Sequence, residues 1–239
     1  MVFIKSKYKS LFTAKDYWMT VKHPPKIPSR IILAYQHDIV KNLNGIYYKD
    51  LGATLYLLNG IGLVKGFGVG GAAVATIMEE LIALGAKQFI SIGTAGSLKT
   101  TLAIGDFVLC SGAIRGDGVS INYLSDSKYS YPSNRLNRKI QCIAKSLKVP
   151  IIVGRTWTTA VLYRETKQEI IKYKNEVLTV DMEAATIFAV AKYHNVEASV
   201  IFTISDYCGL DKWEAHFSKT MNPLNNLLNL AKCCLLNKS

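Results

Sequence analysis

Two hydrophobic periods alternate along this chain. From Ala72 to Leu84, small and large apolar residues recur at helical spacing and stop at Gly85, a suitable helix terminator. Thr54 to Leu58, Phe89 to Ile92, Asp106 to Ser111 and Ile151 to Thr156 are short, mainly apolar runs that read as strands. Arg30 to Tyr35 reads as the first strand, because the preceding His23-Pro24-Pro25-Lys26-Ile27-Pro28 disfavours helix. Ile61 to Val64 follows an Asn59-Gly60 hairpin turn. Further helices are predicted near Leu136 to Leu147, Lys167 to Tyr173 and Phe217 to Leu236. Strands alternating with helices predict a three-layer α/β/α fold with a central mixed, largely parallel sheet covered on both faces. Ser120 to Asn137, rich in Ser, Tyr, Asn and Asp, reads as a surface excursion.

Polar chemistry gathers at three strand ends. Thr179-Val180-Asp181-Met182-Glu183-Ala184-Ala185-Thr186 passes from a strand into a helix, with a carboxylate on each side of a methionine. Open α/β sheets place ligands outside the carboxyl ends of strands, where Glu183 is suited to accept hydrogen bonds from a diol. The plainer reading is that both acids favour a helix N-terminus electrostatically. Ala198 to Ile204 is a second apolar run and ends in Ser205-Asp206, where the aspartate reads as a turn cap or an acid/base group. Gly93-Thr94-Ala95-Gly96-Ser97 follows the strand Phe89 to Ile92. Three strand ends thus offer polar groups to one crevice.

Five blocks in order resemble the purine and uridine nucleoside phosphorylases, a family whose relatives include nucleosidases acting on methylthioadenosine and adenosylhomocysteine. They are Gly68-Val69-Gly70-Gly71-Ala72-Ala73 with its helix, Ile92 to Leu98, Ile104-Gly105-Asp106, Val180 to Ala185, and Ile204-Ser205-Asp206. Ala113 to Ser120, Gly154 to Thr159 and Tyr163 to Thr166 are similar to the uridine-phosphorylase-like branch. The resemblance covers roughly residues 68–213. It implies that Glu183 holds the sugar diol, that Met182 packs on the sugar, and that Asp206 is a general acid toward a purine. It further implies substrate-binding roles for Asp181, Gly93, Thr94 and Ser205, with Leu162 and Tyr163 lining the base pocket. Core packing for Met182 and Leu162, and a surface position for Tyr163, stay open as alternatives. An N-terminal histidine reaching a neighbouring subunit's sugar is also implied, and His23 and His37 are the candidates. Asp206 favours purines, whereas the Trp157 and Tyr163-Arg164 blocks favour the uridine-like branch.

The phosphate site departs from the family pattern. Ala34-Tyr35-Gln36-His37-Asp38 stands where a Gly-Asp-Pro loop with an arginine is expected, and Ser91 stands at a usual arginine position. Thr94, backbone amides of the glycine-rich turns, and Lys41, Lys49 or Lys65 are the remaining anion ligands. Three readings follow. The first is a phosphorylase that uses phosphate as co-substrate and needs no other cofactor or metal; the others are a hydrolytic nucleosidase and a non-catalytic nucleoside-binding protein.

With 239 residues and 49% hydrophobic content the chain suits one domain spanning 1–239. Lys and Arg total 29 against 17 acids, a net charge of +12, but the basic residues are scattered without an aromatic-basic ladder. That pattern suits anionic small substrates better than nucleic acid. No apolar run reaches the length of a membrane span or signal core. The five cysteines show no Cys-x-x-Cys spacing, which argues for free thiols and against a zinc site. A cytoplasmic homo-oligomer is expected, built from dimers and extending to a hexamer in the arrangement that the resemblance implies.

Overall fold

A computed structural model of the chain describes residues 8–35, 44–125 and 127–237. Helix α1 (Ala14–Thr20) was not foreseen. Its start is set by a capping box in which Thr13 and Asp16 exchange side-chain and backbone hydrogen bonds. Strands β1 (Arg30–Ala34), β2 (Ile46–Tyr48), β3 (Ala53–Leu58) and β4 (Ile61–Lys65) come next, then helix α2 (Gly71–Ala83). After β5 (Gln88–Ser97), β6 (Phe107–Gly116) and β7 (Tyr129–Ser130) comes α3 (Asn134–Ser146). β8 (Ile152–Thr159), α4 (Lys167–Tyr173), β9 (Thr179–Asp181), α5 (Ala184–Tyr193), β10 (Glu197–Cys208), β11 (Trp213–Ala215) and α6 (Met221–Leu236) complete the order.

All eleven strands belong to one mixed sheet. Its long central ladders, β1 with β5, β5 with β10 and β6 with β8, are parallel. The β2–β3–β4 edge is antiparallel, joined by the Asn59-Gly60 turn with positive φ at both residues. The sheet also closes on itself, because β5, β10, β6, β8 and β9 pair in a ring. Strand β5 is its hub and pairs with β1, β9 and β10.

Alternate residues of a strand face opposite layers, and the core obeys this. Ile31, Leu33 and Phe89 pack with α2 and α5, whereas Ile32, Ala34 and Ile90 pack with α3 and α6. Among the described residues no helix is long and apolar enough to cross a membrane.

Two expectations need correction. Gly93 to Ser97, placed beyond the strand Phe89 to Ile92, continues β5 instead. Partners on both sides extend the ladder, from Phe202 opposite Gly93 to Tyr207 opposite Ser97 on β10, with Val180 of β9 opposite Gly96. Glycine is required at 96, since a Cβ there would sit 2.7 Å from Cys208 Sγ and 3.0 Å from Asp206 Oδ2. The supposed surface excursion 120–137 also enters the interior: Ser120, Ser130 and Asn137 are buried. Asn137 donates to the Cys110 carbonyl at 2.8 Å and accepts from Ser199 Oγ at 2.6 Å, which satisfies its buried amide.

Candidate functional site

The carboxyl halves of β5 and β10, the end of β9 and the start of α5 enclose a cavity of about 220 Å³. Gly93, Thr94, Asp181, Met182, Glu183, Ser205, Asp206 and Leu162 all line it, so three strand ends far apart in sequence do converge.

Glu183, the N-cap residue of α5, lines the cavity. Its Oε1 accepts the Gly70 backbone N–H at 2.6 Å, which ties the loop before α2 to the cavity. Burial, then the neighbouring Asp181 charge, pushes the Glu183 carboxyl up to about 8. Asp181 is placed differently from the substrate contact expected of it. Its Oδ1 accepts the Thr156 and Thr158 hydroxyls at 3.1 and 2.8 Å, and its Oδ2 accepts the backbone N–H groups of Glu183 and Ala184 at 2.8 and 2.6 Å. With its oxygens so occupied, Asp181 anchors the helix start and holds Glu183 in position. Burial pushes Asp181 up to about 6 against those four hydrogen bonds.

A second part of the lining is built on β10 and its partner β11. Asp206 Oδ1 accepts Ser205 Oγ at 2.6 Å, and Oδ2 accepts the Trp213 indole N–H at 2.8 Å and Cys208 Sγ at 3.3 Å. The register that sets Asp206 opposite Ala215 and Cys208 opposite Trp213 brings the indole to the carboxylate. Glu165 lines the same wall, and burial followed by the Asp206 and Glu169 charges lifts it to about 7.

Tyr35 and Ser91 also line the cavity, and their hydroxyls are 3.2 Å apart. The Tyr35 ring packs edge-on to Phe67 and close to Gly93. Burial and the Glu183 charge hold the Tyr35 phenol well above its ordinary value, so it stays neutral. Among the described residues lining the cavity there is no Lys, Arg or His. Lys49 is exposed in the 3₁₀ turn Lys49–Leu51, and Lys65 is buried on β4 with its Nζ 5.4 Å from the Tyr56 ring centre. Lys41 lies outside the described residues. Arg115 is committed elsewhere, donating to Ser120 Oγ and to the carbonyls of Leu124, Ser125 and Ser127.

Two of the expected site residues, Tyr163 and His23, do not line this cavity. Tyr163 is 91% exposed at the centre of the short 3₁₀ turn Leu162–Arg164, so its ring projects to solvent while Leu162 faces the cavity. His23 belongs to a separate groove with Lys15, Trp18 and Leu84, where the Pro-rich segment leaves α1. His37 lies outside the described residues. Sequence reasoning assigned no role to Tyr35, Glu165, Trp213 or Phe217, all of which line the cavity. Glu165 adjoins Tyr163 and Arg164 in a block already singled out, but nothing local shows a carboxyl turned inward. Trp213 is legible only once β11 is paired with β10.

Residues 56–230 match the family model of the phosphorylase superfamily. The purine nucleoside phosphorylase of Plasmodium vivax is 32% identical over 172 residues, 69% of each chain. The guanosine phosphorylase of Halorubrum lacusprofundi is 29% identical over 138 residues, so the chain spans 57% of that relative's length. Among solved structures, the uridine phosphorylase of Vibrio fischeri superposes with a TM-score of 0.78 at 19% identity, covering 92% of this chain and 99% of that one. With the family match extending over nearly three quarters of the sequence, and with the strand ends that it spans meeting at one cavity, the chain belongs to the phosphorylase superfamily.

Proposed function

We propose that the cavity binds a nucleoside and cleaves its N-glycosidic bond, with phosphate as the acceptor, to give a free base and a pentose 1-phosphate. The observation that carries this reading is that Glu183 and Asp206, far apart in sequence, line one small cavity, each fixed by hydrogen bonds. Glu183 is suited to the sugar diol, because Gly70 and the Asp181-held helix start fix its carboxyl group. Met182 lies beside it for the apolar sugar face. As the C1′–N bond breaks, the sugar gains oxocarbenium character, and the acceptor oxygens of Glu183, fixed beforehand, stabilise that charge without reorganising.

Asp206, Leu162 and Trp213 hold the base, and a purine is the preferred base, in keeping with the guanosine phosphorylase and purine nucleoside phosphorylase among the relatives. Ser91 and Thr94 supply hydroxyls for the acceptor. Hydrolysis is the second reading, favoured by the lack of basic side chains among the described lining residues. We place the activity in a cytoplasmic homo-oligomer. Base release from inosine, guanosine and uridine tests the proposal, and failure to release base from all three would remove it.

A further inference from the structure

We propose that Tyr35 binds the acceptor: its phenol and the Ser91 hydroxyl act as a pair that holds a phosphate oxygen beside Glu183. This rests on the reading of the cavity as a nucleoside-cleaving site that uses phosphate.

The sheet assembles the pair. Parallel β1 and β5 set Leu33 beside Ser91 and Ala34 beside Ile92, so Tyr35, the residue that leaves β1, arrives next to Gly93. A Cβ on Gly93 would come within 3.3 Å of the Tyr35 ring, and the glycine leaves that ring its place. Leu33 and Phe89 face α2 and α5. Tyr35 and Ser91 each lie two positions further along the chain and keep to that side, which is also the side of Glu183 at the start of α5.

Hydrogen counting gives the pair its function. Two hydroxyls 3.2 Å apart carry two hydrogens, and one of them fills the bond between them. The other finds no acceptor among the described residues, although both groups line the cavity. Ser91 is buried, and a buried donor left unpaired is costly. An occupant that brings an oxygen lone pair to this point removes that cost.

The neighbouring charges identify the occupant. Burial holds the Tyr35 phenol neutral, so it keeps a hydrogen to donate, and Glu183 is the foremost charge acting on it. In the proposed reaction Glu183 engages the diol, and C1′ is bonded to the diol carbon C2′. A donor beside Glu183 therefore serves an oxygen approaching C1′. A charged phosphate oxygen accepts about twice as strongly as a neutral sugar hydroxyl, and it needs no basic side chain to use a neutral donor.

The test separates phosphate from nucleoside. The KM for phosphate at saturating inosine and the KM for inosine at saturating phosphate are measured for the wild type, Tyr35→Phe, Ser91→Ala and the double variant. The rise in melting temperature on adding inorganic phosphate at constant ionic strength is measured alongside, because it reports binding without turnover. Tyr35→Phe keeps the ring against Phe67 and removes only the hydroxyl. It should raise the phosphate KM about ten- to a hundredfold, shrink the phosphate-induced rise in melting temperature and leave the inosine KM unchanged. Ser91→Ala should act in the same direction, and the double variant should be little worse than Tyr35→Phe, because the two hydroxyls work as one unit. An unchanged phosphate KM in Tyr35→Phe, or a raised inosine KM in its place, would overturn the inference and leave phosphorolysis intact. A wild type that leaves inosine whole, or releases free ribose at an equal rate without phosphate, would instead overturn the reading on which the inference rests.

Discussion

The backbone N–H of Gly70 donates to Oε1 of Glu183 at 2.6 Å, joining two residues 113 positions apart across the cavity wall. Gly70 reaches this position with φ of 91°, a left-handed conformation that glycine adopts at little cost. The contact fixes one oxygen of the carboxyl group that engages the diol in the proposed reaction. Glu183→Ala should therefore lower kcat/KM by roughly 1.5–3 kcal/mol for each diol bond lost, about ten- to a hundredfold. Measured on any nucleoside that the wild type cleaves, unchanged kcat/KM would remove Glu183 from the sugar site.

Asp181 should behave as a structural residue. Asp181→Asn replaces an acceptor oxygen with an NH₂ group that faces either two threonine hydroxyls or two backbone N–H groups. Leaving buried donors unpaired costs about 1–3 kcal/mol each, which lowers the melting temperature by several degrees in a chain of this size. Thr158→Val should reproduce part of the loss, because Thr158 Oγ1 also accepts the Ala185 N–H at 3.0 Å. Calorimetry showing a wild-type melting temperature for Asp181→Asn would contradict the anchoring role.

The two kinds of residue explain how much was legible in the sequence. Glu183 and Asp206 follow apolar runs, and a carboxylate at a strand's end faces the ligand side of an α/β sheet, so their convergence could be anticipated. Periodicity also located most strands and α4. It missed α1, β2, β7 and β11, which are short and take their form from a cap or from one neighbouring strand. Tyr35 and Trp213 reach the cavity through tertiary pairing, β1 beside β5 and β11 beside β10, and no local pattern encodes that. The strand was expected to end at Ile92, but two flanking ladders hold Gly93 to Ser97 extended as well.

Stability should fall as pH rises through the neutral range. The folded protein holds Asp181 at about 6 and Glu183 at about 8, above ordinary values of 3.8 and 4.5. A raised carboxyl binds its proton more tightly in the folded state, so its stabilising contribution is complete below about pH 4 and lost as pH climbs past the folded value. Glu197, held low mainly by Arg135, works in the opposite direction but below pH 4.5. The melting temperature should thus decline between pH 5 and 8.5, and Glu183→Gln should flatten the upper part of that decline. An identical slope in the variant would dismiss the Glu183 contribution.

The mouth of the cavity should be covered by a second copy of the chain. Val69, Trp213 and Phe217 line it and remain 65%, 61% and 51% exposed, an apolar cluster unusual at a free surface. Light scattering at micromolar concentration should give a multiple of 26.4 kDa, and Phe217→Lys should shift the protein toward monomer. A wild type that stays at 26.4 kDa would exclude a shared site.

Product analysis tests nucleoside cleavage most directly. Purified protein is incubated with guanosine, inosine or uridine, with and without phosphate, and the sugar product is identified by ³¹P and ¹³C NMR. The expected result is phosphate-dependent release of base with formation of ribose 1-phosphate, purines being favoured. Free ribose at an equal rate without phosphate would replace phosphorolysis with hydrolysis at the same site. Nucleosides recovered intact under both conditions would contradict cleavage of the N-glycosidic bond altogether.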